Sequence, residues 1–456
     1  MINYKIVLFV FAGIIVISCK KTWMEEKSNK SLDVPNSVKD FQALLDNSSF
    51  MNDWRPIAGE ASADNFYYSN TMYQGLSAES KNAYVWSKDI YTNVLSDNNN
   101  WNYSYRTVFY SNIVLDDIDK VGTDELGTPE WNNVKGSAHY FRADAFFNVA
   151  QIFAKPYSLT FPAELGIPLR LNADPNATSV RAGLQETYVQ ILNDLHTAVG
   201  YLPVVPQYKT RPSKPAAYAM LSRVYLVMQD YSHALLYADS CLKLYDSLLD
   251  YNTLNASASF PIPGLNKEVL FQAALGNELF SNKVIVDTNL YKSYNANDLR
   301  QKMFFKTNTN GGMQFVGTYT GGTASAANLN FFGGLATDEV YLTRAECFAR
   351  TGNVAAAMAG LDSLMKKRMK TGFFVPSTAA NSSEALNLIL QERRKETPFR
   401  GLRWIDLRRL NNEGANITLT RVINNQTYTL EPNSPRYVLP IPPDIISFTG
   451  MSQNER

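Results

Sequence analysis

A mostly α-helical protein is predicted, with paired amphipathic helices supporting a loop-rich face. Three observations carry this reading: helical spacing of apolar residues in several stretches, the return of one helix-pair pattern further along, and a change of character between Asp250 and Leu335. From Lys135 to Ala154, residues Ala138, Phe141, Ala145, Val149 and Ile152 form one stripe, which Pro156 ends. From Pro215, residues Ala217, Met220, Leu221, Val224 and Met228 do the same, with Ser213 placed as a cap. A break at Asp230 leads into a second helix carrying Ala234, Ala238, Cys241, Leu242 and Tyr245. The pattern returns 121 positions later, where Leu342-Thr343-Arg344 repeats Leu221-Ser222-Arg223 and Ala355 and Ala359 repeat Ala234 and Ala238. This second hairpin turns at Gly352-Asn353 and is expected to bury Val354, Met358, Leu361 and Met365. Trp101–Val121 and Leu184–Tyr201 supply further helices. Between Asp250 and Leu335, Asn, Gly, Thr, Ser and aromatics dominate, broken by Pro261-Ile262-Pro263-Gly264, Gly311-Gly312 and Gly321-Gly322. Long loops and short strands are expected there.

The N-terminus sets the location. Lys5 precedes an apolar run, Ile6–Ile17, that is too short to span a bilayer as a helix, which takes roughly 20 residues. It has the length of a secretory signal core. The run ends in Val16-Ile17-Ser18-Cys19, which resembles a lipobox: the thiol accepts lipid, and the small Ser18 admits the peptidase. Residues 1–18 are thus read as a lipoprotein signal peptide and 19–31 as a lipidated polar tether. Residues 32–456 follow as a single domain, with an N-terminal part to about residue 250 and a loop-rich and C-terminal part over 251–456. Acyl chains such as palmitate on Cys19, at about 0.8 kcal/mol per buried CH2, give a stable anchor. The other cysteines, Cys241 and Cys347, fall in helical patterns and are read as buried free thiols, with a disulfide as the other possibility.

With 43 basic and 42 acidic residues, the chain carries no general basic field, and nucleic acid is not an expected partner. The histidines His139, His196 and His233 are scattered, and no metal, cofactor or nucleophile grouping surrounds them. Asp116-Asp117 lie on an amphipathic helix and read as solvated rather than as a catalytic carboxylate pair. No enzyme activity is expected.

A dense charged motif closes the chain. Gln391-Glu392-Arg393-Arg394-Lys395-Glu396 runs into Phe399-Arg400-Gly401-Leu402-Arg403-Trp404-Ile405-Asp406-Leu407-Arg408-Arg409. Physically it is a charged helix, a glycine turn and a second short helix, with Trp404 and Leu407 inward. Structural ion pairing is the expected use of its charges, and an anion site is the alternative. This segment resembles the C-terminal signature of the SusD/RagB family of surface nutrient-binding lipoproteins of Bacteroidetes, departing from it at Thr397-Pro398, Arg400 and Leu402. His139-Tyr140-Phe141-Arg142-Ala143-Asp144-Ala145, Lys214-Pro215-Ala216-Ala217, Leu439-Pro440-Ile441-Pro442 and Gln453-Asn454 resemble further family segments. The helix hairpins resemble tetratricopeptide repeats. The resemblance implies a SusD-like fold with about four tetratricopeptide-like helix pairs and a loop-rich ligand-binding face. It also implies an outer-membrane location facing the cell exterior, and a SusC-like TonB-dependent transporter as partner.

The ligand implied by the resemblance is a glycan, or in some members a peptide; a repeat scaffold that binds only protein is the alternative. Sugar rings stack on aromatic faces while their hydroxyls need fixed amides and carboxylates. Two segments combine these groups: Asp64-Asn65-Phe66-Tyr67-Tyr68 with Tyr73, and Trp86–Trp101 with Tyr91 and Asn98-Asn99-Asn100. Against this, Asp64-Asn65 also suits a turn. Trp101 also suits a core position at the head of a stripe through Tyr105, Phe109 and Ile113. In the loop region Tyr291 and Tyr294 are the leading candidates, alongside Phe304, Phe305, Tyr319, Phe331 and Phe332.

Overall fold

The computed structural model describes residues 35–92, 99–158, 164–277, 279–280, 284–308, 311–322 and 330–456. Cys19, the signal segment, the tether and Asn98 lie outside the described residues. Among the described residues there are seventeen α-helices against ten strands of two to five residues, so the chain is mostly α. The main helices are α1 (Val38–Leu45), α2 (Asn99–Asp117), α3 (Pro129–Phe153), α4 (Leu184–Tyr201), α5 (Lys214–Val227), α6 (Tyr231–Leu244), α7 (Thr337–Arg350), α8 (Val354–Met365), α9 (Ser382–Glu396), α10 (Leu402–Asn412) and α11 (Pro443–Thr449). From α2 to α7 each packs on the next, and α7 also holds α8 and α9.

The starts of these helices follow from short polar side chains. Thr128 accepts from Trp131 N (3.2 Å), Ser213 from Ala216 N (3.3 Å), Asp230 from His233 N (3.1 Å) and Asn353 from Ala356 N (3.1 Å). Each such cap is worth about 1 kcal/mol. Pro129 and Pro215 sit in first turns, where the missing N–H costs nothing. The apolar stripe of α3 is buried along its length. Cys241 and Cys347 are buried free thiols.

The repeat itself needs a correction. The two hairpins α5–α6 and α7–α8 begin at Lys214 and Thr337, and their second helices at Tyr231 and Val354, an offset of 123 in both cases. The 121-residue match in sequence is therefore two residues out of structural register. Ala355 and Ala359 are exposed, and the helix contact equivalent to Ala234 is made by Ala357. Met358, Leu361 and Met365 are buried as expected, while Val354 is half-buried.

Paired short strands, all antiparallel, occur in the loop region and beyond it. β1 (Phe66–Tyr67) pairs with β5 (Ile285–Val286), β2 (Leu165–Pro168) with β3 (Arg181–Gly183), and β4 (Val269–Phe271) with β8 (Leu335–Ala336). β6 (Phe305–Thr307) pairs with β7 (Met313–Phe315) and β9 (Leu419–Ile423) with β10 (Gln426–Leu430). Such short ladders bury little by themselves. Aromatic rings fill the gap: Phe304, Phe305, Tyr319, Phe331 and Phe332 are all buried, and Phe399 stacks on Phe315 (4.7 Å) and Phe331 (5.3 Å). These residues, candidates for ligand from sequence, instead build the local core.

The C-terminal motif folds as its residues dictate. α9 ends at Glu396, Gly401 adopts φ +72°, and α10 then buries Trp404 and Leu407. Only glycine takes this left-handed conformation without penalty. A Cβ at Gly401 would also touch Leu275 Cδ2 at 3.4 Å. We expect Gly401→Ala to lower unfolding stability by about 1–2 kcal/mol, read as a shift in the urea midpoint at unchanged slope.

Candidate ligand-binding site

Of the eight candidate residues, four are committed to the fold. Asp64 receives a two-pronged contact from Arg403 (Nε 2.7 Å, Nη2 2.9 Å) and a third from Arg394 (3.1 Å). Burial pushes its carboxyl up, but the Arg403 and Arg394 charges outweigh this and hold it at about 2. Asn65 is buried and donates to Glu60 Oε1 (2.9 Å), while its carbonyl accepts from Asp287 N (2.8 Å). Burial raises Glu60 to about 7, against the pull of the bonds from Asn65 and Gly401 N. Tyr68 is buried edge-on to Tyr84 (4.8 Å). Tyr294 is buried with its hydroxyl on Lys395 O (2.6 Å). Asp64-Asn65 is thus a junction between the N-terminal segment and the C-terminal motif. The excess of arginine in that motif, six against three carboxylates, was the available signal that it needs carboxylates from elsewhere in the chain.

The remaining four candidates fall on two surfaces. β1–β5 pairing sets Tyr67 opposite Ile285, so the 64–73 and 285–291 segments, far apart in sequence, share one face. Tyr67 is 40% exposed there, and Tyr73 and Tyr291 are half-buried. Tyr73 lies against Tyr84 (5.8 Å), and Tyr291 against Phe305 (5.7 Å).

Trp101 lies elsewhere. Its ring is buried against Tyr105 (4.9 Å) and Phe153 (5.0 Å), yet it also lines a surface cavity of about 270 Å³. Along α2 the buried positions are Asn100, Trp101, Ser104, Thr107, Val108, Ser111, Asn112 and Val114. The predicted stripe through Tyr105, Phe109 and Ile113 lies at the edge of this core, with the Tyr105 hydroxyl donating to Pro168 O (2.8 Å). Its half-buried Tyr105 and 42% exposed Phe109 form the cavity wall.

Opposite that wall stand Arg170, Asn172 and Ser179, with Ile445 and Thr449 of α11 closing one side. Asn112 is fully engaged, donating to Arg170 O (2.9 Å) and Asn172 O (3.0 Å) and accepting from Arg142 (3.0 Å). Asn102 lines the cavity with no side-chain hydrogen bond among the described residues. Aromatic rings with the unspent amide of Asn102 in the same cavity suit a polyhydroxylated ring. Sequence reasoning did not single out Asn102, Phe109 or Arg170; the stripe through Phe109 was visible but assigned inward. Among the described residues there is no group of acidic, histidine or cysteine side chains that could hold a metal ion.

Two segments of the chain match family profiles. Residues 22–226 match a SusD-like family described as starch-binding and associating with outer membrane, and residues 335–455 match the SusD family. No curated protein matches the chain. Solved structures share its fold: one from Bacteroides vulgatus has a TM-score of 0.74 at 22% identity, covering 92% of this chain and 99% of that one. A SusD superfamily protein from Bacteroides thetaiotaomicron gives 0.73 at 20% identity, covering 92% and 100%. A SusD-like carbohydrate binding protein from Bacteroides fragilis gives 0.67 at 15% identity, covering 92% and 99%. The chain belongs to the SusD/RagB family.

The Asp64 junction has a pH signature. Its carboxyl titrates lower when folded than when unfolded, so the stability it adds is complete above about pH 4 and is lost as pH falls toward 2. Asp64→Asn should cost about 2 kcal/mol at pH 6, with the gap from wild type closing between pH 4 and pH 2 in chemical denaturation.

Proposed function

We propose that the protein is a lipid-anchored nutrient-binding protein of the outer membrane. It would capture an oligosaccharide at the cell surface and pass it to a SusC-like TonB-dependent transporter. The cavity lined by Trp101, Tyr105 and Phe109 together with the unspent amide of Asn102 carries the reading. It has the size of a small-ligand site, about 300 Å³. Family membership, and the carbohydrate binding named for fold relatives, support the same ligand class. Binding rather than turnover is the proposed activity. The face bearing Tyr67, Tyr73 and Tyr291 extends the contact surface for a chain longer than the cavity holds.

Anchoring through acylated Cys19 places the protein at the membrane without a spanning helix, and no helix among the described residues is long and apolar enough to cross one.

The test is a glycan array followed by titration of the best oligosaccharide. Combined Phe109→Ala and Asn102→Ala should weaken binding by about tenfold or more, roughly 1.4 kcal/mol, with the unfolding midpoint nearly unchanged because both side chains reach solvent. Loss only in Tyr67→Ala with Tyr73→Ala would move the site to the β1–β5 face. Absence of any glycan ligand, with a barrel partner retained in pull-down, would replace the reading by a protein scaffold.

A further inference from the structure

The polar side chains lining the Trp101 cavity are mostly engaged within the protein, and what remains is nearly all donor. Tyr105 Oη donates to Pro168 O (2.8 Å), and Thr449 Oγ1 to Ile445 O (2.6 Å). Asn112 has both amide protons on backbone oxygens and its Oδ1 on Arg142. Arg170 turns its terminal nitrogens to its own loop, onto Ala177 O (2.7 Å), Ser179 Oγ (2.9 Å) and Asp174 O, which leaves Nε. Asn172 Oδ1 accepts from Asp174 N (3.1 Å), which leaves the two Nδ2 protons. Ser179 accepts from Arg170 and keeps its own proton. Asn172 is exposed, Ser179 is half-buried, and both amide atoms of the half-buried Asn102 reach solvent.

Among the described residues of this lining, then, Asn102, Arg170, Asn172 and Ser179 can still donate, and Asn102 Oδ1 is the one side-chain carbonyl left to accept. There is no carboxylate among them. A sugar hydroxyl carries a proton as well as lone pairs, so each one enclosed here needs an acceptor, and a second proton goes unpaired. A carbonyl oxygen brings no proton and is matched by the surplus donors. The rest of the lining includes Val108, Ile445 and Met451, whose aliphatic surface rewards a methyl group rather than a hydroxyl. A carboxylate would also accept, but it would lose water against that same aliphatic surface while the guanidinium ends stay engaged elsewhere.

We propose that this cavity selects a sugar residue bearing an acetamido group, an N-acetylhexosamine. The inference rests on the reading of the Trp101 cavity as the sugar site. The acetyl carbonyl accepts from Asn172 and Ser179, the amide N–H donates to Asn102 Oδ1, and the methyl packs on Val108, Ile445 and Met451. The ring lies against Phe109, with its remaining hydroxyls in water at the mouth.

The full-length chain, purified in detergent, would be titrated by calorimetry with N-acetyl-D-glucosamine and N-acetyl-D-galactosamine, each beside its parent hexose, and with D-glucuronate. At least one acetamido sugar should bind about tenfold or more tightly than its parent hexose and than glucuronate. In saturation-transfer NMR its acetyl methyl should give the strongest ligand signal. Asn172→Asp keeps the acceptor for Asp174 N and replaces the donor by a second acceptor. It should cut the ratio of acetamido sugar to hexose affinity by about fivefold or more, with thermal unfolding near wild type. If that variant fails to fold, Ser179→Ala gives the same readout. Equal or tighter binding of hexose or glucuronate, a methyl signal no stronger than that of the ring protons, or a ratio unmoved in a folded variant would each overturn the proposal. So would binding of array oligosaccharides that lack acetyl groups, with none of the acetamido sugars bound; if that binding is lost in Phe109→Ala, the proposed function still stands. No sugar bound to the folded wild type overturns both.

Discussion

Arg368 is fully buried, and the fold is arranged around the need to satisfy its guanidinium. Nε donates to Glu396 (2.7 Å), Nη2 to Glu268 (2.7 Å) and Nη1 to Leu249 O (2.7 Å), while the cation sits 4.1 Å from the Tyr251 ring. Glu396 also accepts from Arg300 (3.0 Å), which is itself clamped by Asp298 and Glu392. Tyr319 donates to Glu268 and contacts Asp338, and Asp338 holds Arg400. A charge this deep costs several kcal/mol to bury and is tolerated only when every donor is used. Removing any partner would strand another, so α7, α9, the loop strands and the turn after α8 have to assemble together.

The C-terminal motif is therefore a junction rather than a surface. Its charges are distributed to separate parts of the chain: Glu392 and Glu396 to the loop region, Arg394 and Arg403 to Asp64, Arg400 and Arg409 to α7. Around Arg368, Asp298, Glu268, Asp338, Glu392 and Glu396 face Arg300, Arg368, Arg400 and Lys395, one carboxylate in excess. Burial first, and that excess second, raise Glu396 to about 7 despite the two arginines beside it. The specificity gained from such a network lies in register: only one arrangement of these segments pairs all its members.

Much of this was legible in the sequence and the rest was not, for physical reasons. Helix starts at Ser213 and Asp230, and the run Leu184–Tyr201, were readable because capping and periodicity are local. The hairpin β9–β10 was not read in advance, although its turn residues Asn424-Asn425, at positive φ (50° and 64°), are a local signal for such a turn. The repeat offset was misread by two residues because small residues recur on several faces of one helix, and only packing selects the face that is used. Asp64 looked like a ligand group because a carboxylate beside aromatics suits a sugar. Nothing local reveals that Arg403, more than three hundred residues later, claims it.

The aromatic content, 12% of the chain, was the broadest signal for ligand binding and proved mostly structural. In the loop region the strands are too short to form ladders that shelter their own backbone, so burial has to come from large side chains instead. Phe304, Phe305, Tyr319, Phe331 and Phe332 meet that demand and are spent. Rings remain available at a strand edge, as with Tyr67, and where a helix already satisfies its own hydrogen bonds and has core contacts to spare. α2 is such a helix: Ser104, Ser111 and Asn112 face inward, and its aromatic residues Tyr105 and Phe109 are left toward the cavity. The inward face of α2 is mixed, with Trp101, Val108 and Val114 buried beside Ser104, Ser111 and Asn112, and it is the ring left over at its edge, Phe109, rather than aromatic abundance that marks a binding wall.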